Sequence, residues 1–381
     1  MMHRQIPAEE MVTKARTIGQ YYGFRPLAEL MAKNRGLPKA AALETDPTAD
    51  LSLDPVAETV ATFLRQCRTH SIGMEPKRPL FVWHTSAAYG RPTPKKCTIQ
   101  FHALGADRAL AEALVIRTLL TLVRDVYRTE PVIRINSMGD KETRARYAKE
   151  LANFFKKRSS SLSETCLASA KHDTLTAAEI AIAESCADDL PAPLEHLSDA
   201  SRKRFEDLLE YLEMTGTPYE LSKNLISRGG IWSETCFEIV ARGERVAWGS
   251  RYNDLARRFF PSSSFSGFGG VISTSGAGEV LKTPNASKPR FIFIHIGDEA
   301  KRHSIQLAEE FRRARLPLLQ HIGVESLTEQ MHLAEETSTP YLLIMGRREA
   351  LENSAILRNR QTHQETILPL SGIAERLKTF A

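Results

Sequence analysis

A short basic strip between two β-type runs is the part of the chain best suited to grip an anion. The strip reads RPTPKKC, Arg91–Cys97, and carries Arg91, Lys95 and Lys96. Three cations on a loop between strands can hold a phosphate or an RNA backbone through charge-assisted hydrogen bonds. Charged turns of this kind are equally common as plain solvated surface. The residues alone leave both interpretations open.

Two glycine-rich stretches are the next candidates for a binding site. The first is SRGG, Ser227–Gly230, and the second is SGFGG, Ser266–Gly270, which follows the arginine of GSRYNDL, Gly249–Leu255. A glycine-rich turn near an arginine can hold an anion, because glycine lets a ligand approach the backbone. A lone glycine pair is more often an ordinary turn. Phosphate-loop, dinucleotide, HExxH and GxSxG patterns are missing from the sequence, so the residues alone define no catalytic constellation.

Histidines and cysteines also suggest structure rather than chemistry. His84, His102 and His295 lie in β-type runs, where a histidine with satisfied hydrogen bonds inside the core is the better interpretation. None of the five cysteines forms a CxxC pair, so neither a zinc site nor a disulfide scaffold is expected. We therefore predict no metal and no cofactor.

The elements that must position these residues follow from periodicity and end signals. Helices are predicted at Ala8–Tyr22, Pro55–His70, Ala106–Arg128, Asp140–Arg158 with Asp140 as cap, and Ser201–Thr215. Strands are predicted at Leu80–Ala87, Cys97–Ala103, Val132–Asn136, and in a hairpin of Cys236–Val240 with Arg245–Gly249. The Ser/Gly/Phe-rich run Ser262–Gly270 is predicted to be a loop.

The pattern changes after residue 288. Strands at Phe291–Ile296, Leu318–Ile322 and Tyr341–Met345 alternate with helices at Glu299–Ala314 and at Ser326–Glu336, the second capped by Ser326. Two further strands, Ala355–Asn359 and Glu365–Leu368, precede a closing helix. Such alternation is typical of a compact α/β domain with a mostly parallel sheet.

Charge and hydropathy constrain the partners. A net charge of +5 over 381 residues permits a nucleic-acid partner without requiring one. The longest apolar run, Ala109–Val123, is interrupted by Glu112 and Arg117 and is too short to cross a bilayer. The N-terminus has no continuous apolar stretch, so we predict no membrane partner and a cytoplasmic location.

Seven pieces of the chain resemble, in the same order, the histidyl-tRNA synthetase family. They are YYGF at Tyr21–Phe24, the ungapped run Pro79–Asp107, RINSMGD at Arg134–Asp140, TCFEIV at Thr235–Val240, GSRYNDL, GFGG at Gly267–Gly270, and Arg347–Ile367. The resemblance covers nearly the whole chain. It implies an α+β protein with a class II synthetase-like antiparallel sheet core, a helical insertion and a C-terminal α/β anticodon-binding-type domain.

The departures from the family fall where its chemistry takes place. In the ungapped match to motif 2, Tyr89 stands where the family has its ATP arginine and Arg91 where it has a glutamate. In motif 3, Thr274 replaces the second arginine. In the family the motif 2 arginine balances charge developing on the α-phosphate, and the motif 3 arginine is the second ATP arginine. Tyrosine and threonine supply no such cation, so the resemblance implies a degenerate ATP site.

The histidine pocket departs as well. The family's "LRPEGT" appears as LDPVAE, which places Val56 at a substrate-binding glutamate. Ala103 replaces the glutamine after QFH, while Asp107 keeps the following acidic position. The family's "RGLDYY" appears as SRGGIW, with Ser227 at the arginine, Arg228 one position away, and Trp232 at a tyrosine.

We therefore predict a catalytically inactive relative that binds tRNA or another structured RNA, or a protein partner, and that forms a homodimer through the motif 1 helix. Two rival interpretations stay open. One is an active, ATP-dependent histidine–tRNA ligase with unusual residues. The other is a regulatory subunit like the synthetase-like partner of ATP phosphoribosyltransferase, a family that typically lacks the C-terminal domain.

The predicted division is a core at 1–150 and 217–280, an insertion at 151–216, a linker at 281–287 and the anticodon-binding-type domain at 288–381. The last segment carries 13 Lys/Arg and 12 Asp/Glu, so RNA binding there depends on local placement. Arg347 and Arg348 follow one predicted strand, and Arg358, Asn359 and Arg360 end the next. We expect the two groups to lie together at one end of the sheet, where arginine can stack on and hydrogen-bond to splayed bases.

Overall fold

The structure is a computed structural model. It describes residues 8–34, 45–51, 53, 55–72, 79–87, 97–186, 189–226, 231–261, 265–273 and 289–380. The predicted linker at 281–287 lies outside these residues.

A large sheet and its helices form the first part of the chain. Its first elements are α1 (Ala8–Tyr21), β1 (Arg25–Pro26), α2 (Leu27–Lys33), α3 (Pro55–Thr69), β2 (Leu80–Ala87), β3 (Cys97–Leu104), α4 (Ala109–Tyr127) and β4 (Val132–Ser137). Next come α5 (Lys141–Lys157), α6 (Glu164–Ala170), α7 (Thr174–Ala183), a 3-10 turn (Pro193–His196), α8 (Asp199–Met214), β5 (Tyr219–Leu221), β6 (Ser233–Ala241), β7 (Glu244–Arg251), α9 (Asn253–Phe259) and β8 (Gly267–Ser273). The end of α5 and helices α6 to α8 occupy the stretch 151–216, which was predicted to be a helical insertion.

Eight described strands make this sheet in the order β1-β2-β3-β8-β7-β6-β4-β5. Pairing is antiparallel from β2 through to β4, and only the outer pairs β1–β2 and β4–β5 are parallel. Helix α4 packs on one face of the sheet against β3, β6 and β8. The predicted antiparallel core is therefore confirmed, as is the hairpin of β6 and β7.

One prediction for the core was wrong. The run Ser262–Gly270 was expected to be a loop, but Gly267–Ser273 is β8, which pairs with both β3 and β7 in the middle of the sheet. A Cβ at Gly267 would collide with the Tyr252 ring, and one at Gly269 with the His102 ring. The glycines are needed because large rings lie directly against the strand, a contact that composition does not reveal.

The C-terminal part has its own sheet. Its elements are β9 (Phe291–His295), α10 (Asp298–Arg313), β10 (Leu318–Gln320), α11 (Leu327–Glu335), β11 (Tyr341–Met345), α12 (Arg347–Leu351), β12 (Ser354–Asn359), β13 (Glu365–Pro369), α13 (Ile373–Leu377) and a 3-10 turn (Lys378–Phe380). The strand order is β10-β9-β11-β12-β13. Strands β10, β9 and β11 are parallel, whereas β12 and β13 are antiparallel. The expected mostly parallel sheet is thus a mixed one.

Local signals placed most of the helices correctly. Asp140 caps α5 by accepting a hydrogen bond from the Thr143 amide at 2.8 Å, and Ser326 caps α11 through the Glu329 amide. The short helices α2 and α12 were not predicted. They have seven and five residues, too few for a helical period to stand out.

The two parts meet through a buried polar network made by Tyr22, Asp125, Glu309 and Arg312. The Tyr22 hydroxyl donates to Glu309 at 2.9 Å, and Arg312 donates to Glu309 at 2.9 Å and to Asp125 at 3.1 Å. Burial would raise the pKa of Glu309, but hydrogen bonds and charge from Arg312, with bonds from Tyr22 and Arg313, lower this pKa to about 2. The ionised carboxylate therefore holds α10 against α1 and α4.

Replacing this carboxylate should remove a pH-dependent part of the stability. The folded pKa lies below the unfolded value of about 4.3. The stabilisation is therefore complete above that value and is lost as pH falls towards 2. We expect Glu309→Gln to lower the free energy of unfolding by about 1–3 kcal/mol near pH 7 and by about half as much near pH 3. Urea titrations at several pH values measure this. Glu335→Gln, an exposed position without an ion pair among the described residues, is the control. A constant difference between pH 7 and pH 3 would contradict the prediction.

Candidate functional site

A buried polar cluster lies on the face of β3 that looks towards α3. His102 uses both ring nitrogens, with Nδ1 2.9 Å from the Tyr252 hydroxyl and Nε2 3.0 Å from Gln100 Oε1. The Phe63 ring stacks on the His102 ring with centroids 3.8 Å apart. Burial lowers the pKa of His102 well below its usual value, so this imidazole is neutral. The predicted core role of His102 is confirmed.

The other two singled-out histidines are also buried and neutral. Burial lowers the pKa of His84 to about 4, and the His84 ring stacks on Phe63 at 5.2 Å. Burial, together with the charge of Lys301, lowers the pKa of His295 to about 4. Neither imidazole has the near-neutral pKa that general acid–base catalysis favours.

The described positions of the implied histidine pocket do not converge. Val56 and Trp232 belong to one apolar cluster, in which the Trp232 and Trp248 rings meet edge to face at 4.8 Å. Ala103 lies on the opposite face of the sheet from His102, because neighbours along a strand alternate, and it packs in the cluster that contains α4. Tyr89, Arg91, Ser227, Arg228 and Thr274 lie outside the described residues.

Asp107, the remaining pocket position, is held by two arginines. Its Oδ1 lies 3.0 Å from Arg204 Nη2 and 3.4 Å from Arg251 Nη1. Arg251 also donates through Nε to Glu112 at 2.9 Å, and both of these side chains are fully buried. The negative charge of Asp107 is therefore already balanced within the chain.

Sequence reasoning missed this charged cluster of Asp107, Glu112, Arg204 and Arg251. The available signal was Glu112 itself, a carboxylate in a mostly apolar stretch of α4, since a buried charge needs a partner. Arg117, the next charged residue of that helix, is likewise buried and donates to Thr217 at 2.6 Å. The sequence does not show which distant arginine pairs with Glu112.

The described residues contain no group of three or more His, Cys, Asp and Glu side chains placed to hold a metal ion. Cys67, Cys166 and Cys236 are buried free thiols, and Cys186 is an exposed one. None of the described helices combines the length and the apolar character that a membrane span requires.

The two arginine groups of the C-terminal sheet lie apart, contrary to expectation. Strand β12 runs antiparallel to β11, so Arg358 pairs with Leu342 and Asn359 with Tyr341, at the start of β11. Arg347 and Arg348 follow the end of β11. About five residues of extended chain, or roughly 15 Å, separate the groups. Strand direction depends on the sheet and not on the local pattern, which is why the prediction was wrong.

Two of these side chains, those of Arg360 and Asn359, make hydrogen bonds within the domain. Arg360 donates to the carbonyls of Thr337 and Thr339, both at 2.9 Å, and so anchors the loop between α11 and β11. Asn359 accepts from the Gln361 amide at 2.8 Å and thereby shapes a turn.

The remaining arginines are more accessible. Arg358 lies 3.8 Å from Glu365, and exposed Arg348 lies 2.9 Å from Glu352. Arg347 is exposed and has no ion pair within the described part of the chain. Lys95 and Lys96 lie outside the described residues.

The architecture is that of a class II synthetase: an antiparallel sheet backed by helices, a helical insertion and a separate C-terminal α/β domain. Residues 290–380 match the family described as "Anticodon binding domain". A solved structure of apo histidyl-tRNA synthetase from S. aureus shares this fold, with a TM-score of 0.52 and 18% identity, covering 97% of this chain and 95% of that one.

Sequence comparison extends the likeness over most of the chain. The histidine–tRNA ligase of Caldanaerobacter subterraneus subsp. tengcongensis is 24% identical, covering 95% of this chain and 93% of the relative. That of Acetivibrio thermocellus is 28% identical, covering 79% of this chain and 76% of the relative. Over most of its length the chain is therefore similar to histidine–tRNA ligases, and its residues 290–380 match an anticodon-binding domain.

Proposed function

We propose that this chain is a non-catalytic relative of histidyl-tRNA synthetase that binds tRNA or another structured RNA. The observation that carries the proposal is the state of the described pocket positions. Val56 and Trp232 are packed in an apolar cluster, Ala103 faces the other side of the sheet, and Asp107 is bound by two arginines. Asp107 carries the one carboxylate among these four positions, and this carboxylate, although 68% exposed, is paired with Arg204 and Arg251.

RNA is the favoured partner because the C-terminal domain matches an anticodon-binding family. Exposed Arg347 and Arg348 supply accessible cations at one end of its sheet. The direct test is to purify the full chain from its own cells and to sequence the bound RNA. Enrichment of particular RNAs over total cellular RNA supports the proposal. A protein that copurifies in constant ratio, without RNA, would contradict RNA binding and indicate a protein-binding function. A cytoplasmic location belongs to the proposal and is checked by cell fractionation.

The alternative is an active histidine–tRNA ligase, the activity named for the relatives that align with nearly the whole chain. Arg228, one position from the family's pocket arginine, is the residue that would support it.

We expect the protein to be a homodimer. In the family the motif 1 helix lies at the dimer interface, and α1 corresponds to it. Helix α1 turns Thr13 and Thr17 to solvent in the single chain. Light scattering at micromolar concentration should give twice the chain mass of 42.6 kDa. Replacing both threonines by arginine should shift the mass towards the monomer, since like charges would face each other across a two-fold axis.

Arginines at exposed Ser159 and Ser160 are the matched control for this test and should leave the mass unchanged. A wild-type protein with the mass of one chain would refute the dimer.

A further inference from the structure

A basic cleft lies between the large sheet and the C-terminal domain, and none of the described histidine-pocket positions lines it. Its volume is about 390 Å³, within the range of small-molecule sites. One wall comes from α1, β1, α2 and β2, and the other from β10 and α11. Its apolar lining comes from Phe24, Pro26, Trp83, Pro289, Leu319 and Leu333.

Three cations line this cleft: Arg16, Arg25 and Lys33. The Arg16 side chain is only 11% exposed, and its nearest carboxylate oxygen, on Glu29, is 3.9 Å from Nη2. Arg16 Nε and Nη1 are buried and have no hydrogen-bond partner in the part of the chain that the structure describes. Arg25 and Lys33 are exposed and form no ion pair among the described residues.

This arrangement differs from that of several other arginines among the described residues. Arg108, Arg251 and Arg312, for example, each lie within 3.1 Å of a carboxylate or donate to one. Leaving guanidinium nitrogens buried without acceptors costs free energy. An anion brought into the cleft would recover that free energy.

The counter-charges around the cleft do not fill this role. Glu29 and Glu336 also line it, but Glu29 makes only the long contact to Arg16. Glu336 lies 3.6 Å from the His332 ring. Three cations against two carboxylates leave the cleft positive, with the buried guanidinium still lacking hydrogen-bond acceptors.

We propose that the basic cleft binds a small phosphate monoester with a flat apolar body, about the size of a mononucleotide. The phosphate supplies several acceptor oxygens and a double negative charge, which suit two arginines and a lysine better than a single carboxylate does. The apolar body displaces water from the proline, leucine and tryptophan surfaces. A bare inorganic anion would leave those surfaces wet, and a neutral aromatic would leave the cations without acceptors.

The test compares three probes by isothermal titration calorimetry on the full chain: phenyl phosphate, inorganic phosphate and phenol. Phenyl phosphate should bind about ten-fold tighter than either of the others, since only phenyl phosphate contacts both the apolar lining and the cations. The double variant Arg25→Gln, Lys33→Gln should bind phenyl phosphate about ten-fold more weakly, with a reduced dependence on salt. Both side chains are exposed, so the variant should fold normally, and circular dichroism checks this.

Arg202→Gln is the matched control, because Arg202 is an exposed arginine on α8 without an ion pair among the described residues. It should bind phenyl phosphate like wild type. Arg16→Gln should weaken binding as well, and Trp83→Phe should remove any change in tryptophan fluorescence on binding. The inference is overturned if phenyl phosphate binds no tighter than inorganic phosphate, or if the double variant and Arg202→Gln behave alike. Because Arg347 and Arg348 do not line this cleft, either result leaves the RNA proposal to be judged separately.

Discussion

Purified protein given ATP, histidine and labelled pyrophosphate should show no histidine-dependent exchange above the buffer blank. In the resemblance, Tyr89 and Thr274 stand where the family has its two ATP arginines. On the proposed function, neither position supplies a guanidinium to the ATP phosphates. Losing one such preorganised group typically costs about 10²–10³ in rate. Losing both removes several kcal/mol of transition-state stabilisation.

The proposed function implies a second obstacle, on the amino-acid side. The Asp107 carboxylate is paired with Arg204 and Arg251, and Val56 and Trp232 are packed in an apolar cluster. Restoring the cations with Tyr89→Arg and Thr274→Arg should therefore not restore exchange. The histidine–tRNA ligase of Caldanaerobacter subterraneus subsp. tengcongensis, assayed in parallel, is the positive control.

Clear exchange by wild type would establish the active-ligase alternative. Arg91→Ala and Arg228→Ala would then show which cation has taken over. If only the variant with Tyr89→Arg and Thr274→Arg shows exchange, the ATP site is degenerate in the wild type, but the histidine pocket is intact, contrary to the proposal.

The second large effect is expected in RNA binding. The protein should bind tRNA with micromolar or tighter affinity at low salt, and the affinity should fall steeply as salt rises, because phosphate contacts release counterions. The segment 288–381 has a net charge of only +1, so specific arginines and not bulk charge must carry the interaction.

The structure decides which arginines to replace. Arg358 and Arg360 were the pair favoured by the sequence, with an expected loss of about 1–3 kcal/mol on replacement by alanine if they touch bases. Arg360, however, holds the Thr337 and Thr339 carbonyls, so its removal would disturb the domain itself. The cleaner variant is Arg347→Gln with Arg348→Gln, at two exposed positions.

Filter binding across a salt series measures the outcome. The double variant should bind tRNA about ten-fold more weakly and reduce the slope of log affinity against log salt by about 2 if both arginines contact phosphates. Arg376→Gln, an exposed arginine of the same domain without an ion pair among the described residues, should change neither quantity. Wild-type affinity in the double variant would mean that this end of the sheet is not used. Failure of wild type to bind at low salt would remove the RNA proposal in favour of a protein partner.

The sequence by itself determined the features that arise within short stretches of chain. The period of α4, the caps at Asp140 and Ser326, and the β6–β7 hairpin all follow from local pattern and local hydrogen bonding. The likeness to histidyl-tRNA synthetases was also readable, because seven motifs occur in the family's order. The predicted replacements at Tyr89 and Thr274 rest on the same motifs.

Only the tertiary structure decided which distant residues meet. Gly267–Ser273 is a central strand although it is rich in glycine. Its glycines lie against the rings of Tyr252 and His102, which leave no room for a Cβ. Strand β12 turned back along β11, which placed Arg358 far from Arg347. Glu112 pairs with Arg251, which is 139 positions away in the sequence. Strand direction, pairing of buried charges and close approach of rings depend on contacts between remote segments, and a local pattern carries no record of them.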